Sequence, residues 1–158
     1  MKTMRNRKGT AIVEFAILLP LLLVIIFGTI EFGLLMYNKQ VITNASREGA
    51  RAGIVQVKAP GSRPDKTAIK AVVDKYAVAN LVSFATTKQD PETHLLSSVG
   101  PPPVVDENAI CASFGNDLIV QVKYTYRFLA FPNLIKLAAD GTFSNSIDLI
   151  AQTDMRCE

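Results

Sequence analysis

"GTAIVEFAILLPLLLVIIFGTIEFGLLMY", residues 9–37, is the stretch that decides the architecture. From Ala11 to Tyr37 only Glu14 and Glu31 are charged, and the 16 residues from Phe15 to Ile30 carry no charge. Residues 11–37 form a helix of about 40 Å at 1.5 Å per residue. That is enough to cross a hydrocarbon core of about 30 Å with some tilt. A membrane span over about 11–37 is therefore expected. Pro20 removes one backbone hydrogen bond and tends to kink a helix, which lipid-embedded helices tolerate when neighbours satisfy the freed carbonyl. Gly28 and Gly33 loosen the span and permit close packing. Glu14 is the anomaly, because an ionisable group in hydrocarbon is costly and usually marks a task.

The apolar excess is local. The chain has 158 residues and a hydrophobic fraction of 49%, yet outside the span it reads as an ordinary soluble domain. Charge is uneven too. Lys2, Arg5, Arg7 and Lys8 precede Gly9, and the other 13 basic residues face 14 acidic ones. The net charge of +3 thus belongs to the first eight residues and does not describe a nucleic-acid surface. A basic flank on the N-terminal side orients the N-terminus to the cytoplasm and exports the rest. A removable signal peptide has a shorter apolar region and a small-residue cut site just after it. Here the following residues, "EFGLLMYNKQVITNASREGARAG", are charged and helix-like. A plain signal anchor remains the simple alternative.

The segment from Gly9 to Phe15, behind a short basic leader, resembles a type IV prepilin processing site. Extended to "REGARAGIV", the string resembles a TadE-like protein, a pseudopilin or minor pilin of the tight adherence (Tad) pilus system. The Glu-Phe pair, the Leu-Pro in the apolar run, the Ile-Glu-Phe-Gly at its end and Arg-Glu-Gly-Ala-Arg carry that likeness, and the closing "AQTDMRCE" adds to it. It covers roughly the first third of the chain and its end, while residues 58–103 contribute little. Flp-type major pilins are much shorter and usually carry Glu-Tyr, so a minor component is implied. TadF proteins share much of the N-terminal pattern, and TadE is the preferred assignment.

The resemblance implies an inner-membrane protein with one span, a cytoplasmic N-terminus and a periplasmic C-terminal domain. It implies a leader over 1–9, cleavage by a prepilin peptidase between Gly9 and Thr10, and a long helix over 10–57. Residues 58–158 form the periplasmic domain. The implied partners are that peptidase, other pilin subunits (TadF-like and Flp-type), the inner-membrane assembly platform and the lipid bilayer. Cleavage creates a positive amine on Thr10. Glu14 then pairs with that amine on a neighbouring subunit, which sets register between helices more than raw stability. The alternative is that Glu14 lies near the cytoplasmic interface and reaches lipid headgroups. Phe15, Pro20 and Glu31 complete the candidate assembly face. For Glu31 the plain reading is an interfacial residue on the exported side.

Past the span, "NKQVITNASREGARAGIVQV" keeps helical periodicity. Ala45, Gly49 and Gly53 recur every fourth residue, a row of small side chains that lets another backbone approach. That backbone belongs either to a partner or to the chain's own domain. Glu48 can pair with Arg51. The helix is expected to end near Val57, before the loop "KAPGSRP". Asp65 caps a second helix whose apolar face is Ile69, Val72, Val73, Tyr76 and Ala77. Residues 81–103 read as irregular, with His94 a lone, solvated histidine. Three strands are expected: Val104–Ala112, an alternating stretch from Val120 to Phe128, and another from Phe143 to Cys157. The fold expected is α+β and pilin-like: a long N-terminal helix, a short helix and a small antiparallel sheet.

Cys111 and Cys157 are the only cysteines. Export makes a disulfide between them plausible, against the alternative of two free thiols. The sequence offers no metal cluster, phosphate loop or nucleophile–base pair. A structural protein is expected, without catalytic residues, metal or cofactor and without a nucleic-acid partner. An uncleaved single-pass adapter of this or another secretion machine is the competing reading.

Overall fold

Two helices and three strands follow one another along the chain: α1 (Arg7–Ile54), α2 (Lys66–Asn80), β1 (Glu92–Ser97), β2 (Asp117–Arg127) and β3 (Ser146–Arg156). The structure is a computed structural model and describes residues 7–55, 65–84, 90–97, 117–129, 133 and 144–157. The chain divides into two units, residues 1–34 with 128–145, and residues 35–127 with 146–158. The architecture is α+β, as the sequence implies.

In the second unit the strands form one antiparallel sheet in the order β1-β2-β3. β2 is central because its alternation buries one whole face: Leu118, Val120, Val122, Tyr124 and Tyr126 all point inward. Its partners hold register, with Leu95 opposite Val120 on one side and Ala151 opposite Val122 on the other. Against this face pack Val41, Ile42, Ala45 and Ala50 of α1 and Ile69, Val73 and Ala77 of α2, all buried. Burial of such side chains contributes about 1.5–3 kcal/mol for each large one.

α2 starts where the sequence places it. Asp65 Oδ1 accepts from the Ala68 amide at 2.9 Å, and Asp65 Oδ2 accepts from the Thr67 hydroxyl at 2.8 Å. The first of these satisfies one orphan amide of the first turn. After α2 the chain is tied to α1. Asn38 Nδ2 donates to the Val82 carbonyl at 2.8 Å, and the Val82 amide donates to Asn38 Oδ1 at 3.0 Å. Asn38 is fully buried, and the paired bonds remove the cost of burying its amide.

α1 ends at Ile54, and Val57, near which its end is expected, lies outside the described residues. Other expectations are corrected. Residues 92–97, read as irregular, are β1, so His94 lies on a strand, with its Nε2 3.9 Å from Glu92. The sequence hides this strand because both its faces are covered at one point: Leu95 is buried on the inner face and Leu96, opposite Ile119, on the outer. Alternation is lost there. β3 begins at Ser146 rather than Phe143, and Ile147, expected in the core, is 43% exposed. The strand expected over Val104–Ala112, Cys111 within it, and Phe143 lie outside the described residues.

Candidate functional site

The N-terminal half of α1 is the exceptional surface. Ile12, Val13, Phe15, Ile17, Leu18, Leu21 and Ile25 are each more than half exposed, up to 72% at Ile17. A helix that is apolar all round belongs in a nonpolar medium, not at a water-facing surface. The helix is long and apolar enough to cross a membrane, and none of its most apolar window is buried by the rest of the chain. Its polar side chains suit that setting. Thr29 Oγ1 donates to the Ile25 carbonyl at 2.8 Å, so the hydroxyl is satisfied within the helix. Pro20 sits inside helix that continues unbroken on either side.

Gly9, Thr10, Val13, Glu14 and Ile17 line one open patch at the start of this surface. Thr10 and Glu14 are one helical turn apart, and both are exposed. Gly9 has ordinary helical backbone, and a methyl group added there would meet nothing within 4 Å. Neither packing nor backbone conformation therefore requires glycine at this position. No packing contact among the described residues calls for a glycine there.

Glu31 is only 3% exposed, a buried carboxyl at the exit end of the apolar run. The row Ala45, Gly49 and Gly53 is occupied by the chain itself. A methyl at Gly49 would lie 2.5 Å from Val73 Cγ2 and 3.4 Å from Val120 Cγ1. At Gly53 it would run into Leu118 Cδ2 and sit 2.9 Å from Ile69 Cδ1. These glycines let α1 enter the angle between α2 and β2. Thus Gly9, Thr10 and Glu14 fall on the open patch, Phe15 and Pro20 on the exposed apolar surface, and Ala45, Gly49 and Gly53 in the domain core.

Sequence reasoning did not single out Asn38 or Ser46, both fully buried on α1. Ser46 Oγ lies 2.7 Å from Thr153 Oγ1 and fixes β3 against the helix. Their only signal is a polar residue on the same helical face as Val41, Ile42 and Ala45. Cys157 is buried at the end of β3, whereas Cys111 lies outside the described residues. Among the described residues no group of three His, Cys, Asp or Glu side chains is placed to hold a metal ion.

The family model of TadE-like proteins matches residues 9–51. The match begins at Gly9 and takes in the open patch, the exposed apolar half of α1 and the first two residues of the small-residue row. No curated protein and no solved structure matches the chain.

Proposed function

We propose, from a chain that is TadE-like over residues 9–51, that this protein is a minor pilin taking part in assembly or priming of the Tad pilus. In this reading it is made as a single-pass inner-membrane precursor. The basic residues ahead of Gly9 stay in the cytoplasm and the domain beyond the span enters the periplasm. A prepilin peptidase removes residues 1–9 and leaves Thr10 as the new N-terminus.

The observation that carries the proposal is Gly9, a glycine that no packing contact among the described residues requires, on the same exposed patch as Thr10 and Glu14. A processing enzyme gives it a purpose, since a missing side chain lets that enzyme's active site close on the backbone. Once cut, the Thr10 amine and the Glu14 carboxylate present opposite charges one turn apart. Along a stack of identical helices each carboxylate can take the amine of a neighbour. In low dielectric an unpaired member is strongly disfavoured, so the pair selects one register. The exposed apolar side chains around it, Phe15 among them, supply the contact area. The remaining partners are other pilin subunits, TadF-like and Flp-type, the inner-membrane assembly platform and the bilayer. In the oxidising periplasm Cys157 pairs with Cys111. The role is structural, in adhesion and secretion, and needs no cofactor.

Replacing Gly9 by leucine in a cell with the cognate peptidase tests this. The expected result is accumulation of a full-length precursor in the membrane, with loss of surface pili. Normal processing and piliation would favour an uncleaved membrane adapter instead.

A further inference from the structure

The Gly9–Thr10 bond lies inside α1, not ahead of it. α1 begins at Arg7, so Gly9 and Thr10 are its third and fourth residues. A peptide bond in that conformation is shielded from hydrolysis. Its carbonyl accepts a hydrogen bond along the helix axis from the amide four residues on, and the side chains of adjacent turns stand around it. A nucleophile needs an open approach to within about 3–3.5 Å of the reacting carbon. Extended chain, the form in which many clefts hold peptides, provides one.

The first turn of α1 is weakly built. It holds two basic residues, Arg7 and Lys8, and no acidic one. The positive end of the helix dipole lies there, so these charges oppose the helix. Gly9 follows, and only proline is a poorer helix former than glycine. Tertiary packing supplies most helical stability in proteins. Here every residue from 9 to 22 is exposed, and a methyl at Gly9 would meet nothing within 4 Å. α2 starts differently, with the Asp65 carboxylate accepting from the Ala68 amide at the same end of its dipole.

We propose that cleavage passes through an opened first turn of α1, in which residues 7–10 leave the helix and present the Gly9–Thr10 bond as extended chain. The opening gives up the helical bonds from the amides of Ala11, Ile12 and Val13 to the carbonyls three turns' residues before them, those of 7, 8 and 9. At the end of the span water takes up the freed groups, whereas mid-span they would stay unsatisfied in hydrocarbon. Water then adds across the amide and the bond from the Gly9 carbonyl carbon to the Thr10 nitrogen breaks. The water oxygen stays on Gly9 as carboxylate, and both its protons go to the Thr10 nitrogen, which becomes the ammonium. Arg7, Lys8 and Gly9, which weaken the turn, leave with the leader. The inference rests on reading Gly9–Thr10 as the processed bond. It gives Gly9 a conformational role beside the steric one.

The two roles separate by experiment. The full chain in lipid nanodiscs is treated with the prepilin peptidase, with substrate below saturation, and cleavage rates are read by intact mass. Wild type, Gly9→Ala, Ala11→Gly and the double variant are compared. Exchanging alanine and glycine shifts the opening about three- to fivefold. The expected result is that Gly9→Ala slows cleavage by that factor, Ala11→Gly speeds it by a similar one, and the double variant returns to the wild-type rate. Hydrogen exchange of the uncut chain adds a readout without the enzyme. The amides of Ala11, Ile12 and Val13 are expected to exchange faster than those of residues 44–48, in the same order among variants as the cleavage rates. Cleavage after Gly9 at a rate that Ala11→Gly does not raise overturns the opening and leaves the processing intact. A slow Gly9→Ala that Ala11→Gly does not rescue, or exchange at 11–13 as slow as at 44–48, overturns it too. No cleavage after Gly9 in the wild type overturns the processing reading, and the opening with it.

Discussion

Asp74 shows how a single side chain sets a pH response. Its Oδ1 is buried without a hydrogen-bond partner among the described residues. Burial pushes its carboxyl above the ordinary 3.8, with Lys70 opposing and Asp90 reinforcing the shift. A folded-state value above the unfolded one means that the native state binds the proton more readily. The resulting stability is fully present below the unfolded value and is lost as pH rises through the folded value. Asp74→Asn removes a penalty that exists only where the carboxyl is ionised. The expected outcome is a higher Tm at neutral pH and no gain below the unfolded value, measured by thermal melts in detergent. Asp154, raised by burial and by Asp117, has the same sign. Asp148 has the opposite one. Bonds from the Thr125 hydroxyl at 2.7 Å and from Lys123 at 3.0 Å hold its carboxyl low, so its contribution is lost as pH falls through that lowered value. None of this is legible in the sequence, where Asp74 is one more polar residue on a helix. Gly9, Thr10 and Glu14 are legible, because a charge in an apolar run and a glycine behind a basic leader stand out without a structure.

At the scale of elements, pattern is readable wherever one face is buried and the other is not. From Val120 to Tyr126 β2 alternates for that reason, and α2 announces itself by Asp65 and by Ile69, Val73 and Ala77 at helical spacing. β1 fails the same test because Leu95 and Leu96 point to opposite faces and both are covered. The small-residue row on α1 is visible as spacing, but spacing does not say which backbone approaches. The structure places α2 and β2 of the same chain there. Gly53→Val therefore tests packing within the domain. Its side chain would meet Leu118 and Ile69, and forced overpacking of this kind costs about 1–3 kcal/mol. The expected readout is a lower Tm, with membrane insertion and the length of the processed chain unchanged. A Tm equal to that of the wild type would mean that α1 does not dock on α2 and β2 in this way.

For the whole molecule, two surfaces of opposite character share one helix. The N-terminal half of α1 is exposed and apolar, and the C-terminal half, from Asn38 onward, is largely buried in an ordinary core. Asn38, Ser46, Gly49 and Gly53 pack within the domain, whereas Gly9, Thr10, Glu14 and Phe15, the residues of the proposed assembly contact, lie on the exposed half. The proposed Cys111–Cys157 bond belongs to the domain. Closing a loop of that size is worth about 3–4 kcal/mol on the chain-entropy model. The central claim is that Glu14 acquires its partner only when the bond after Gly9 is cut. The most direct test is the intact mass of the membrane-extracted protein from a host with its prepilin peptidase. The account predicts a chain beginning at Thr10, with the two cysteine protons absent until reductant is added. A chain that still begins at Met1, or that is cut at any other bond, would contradict it.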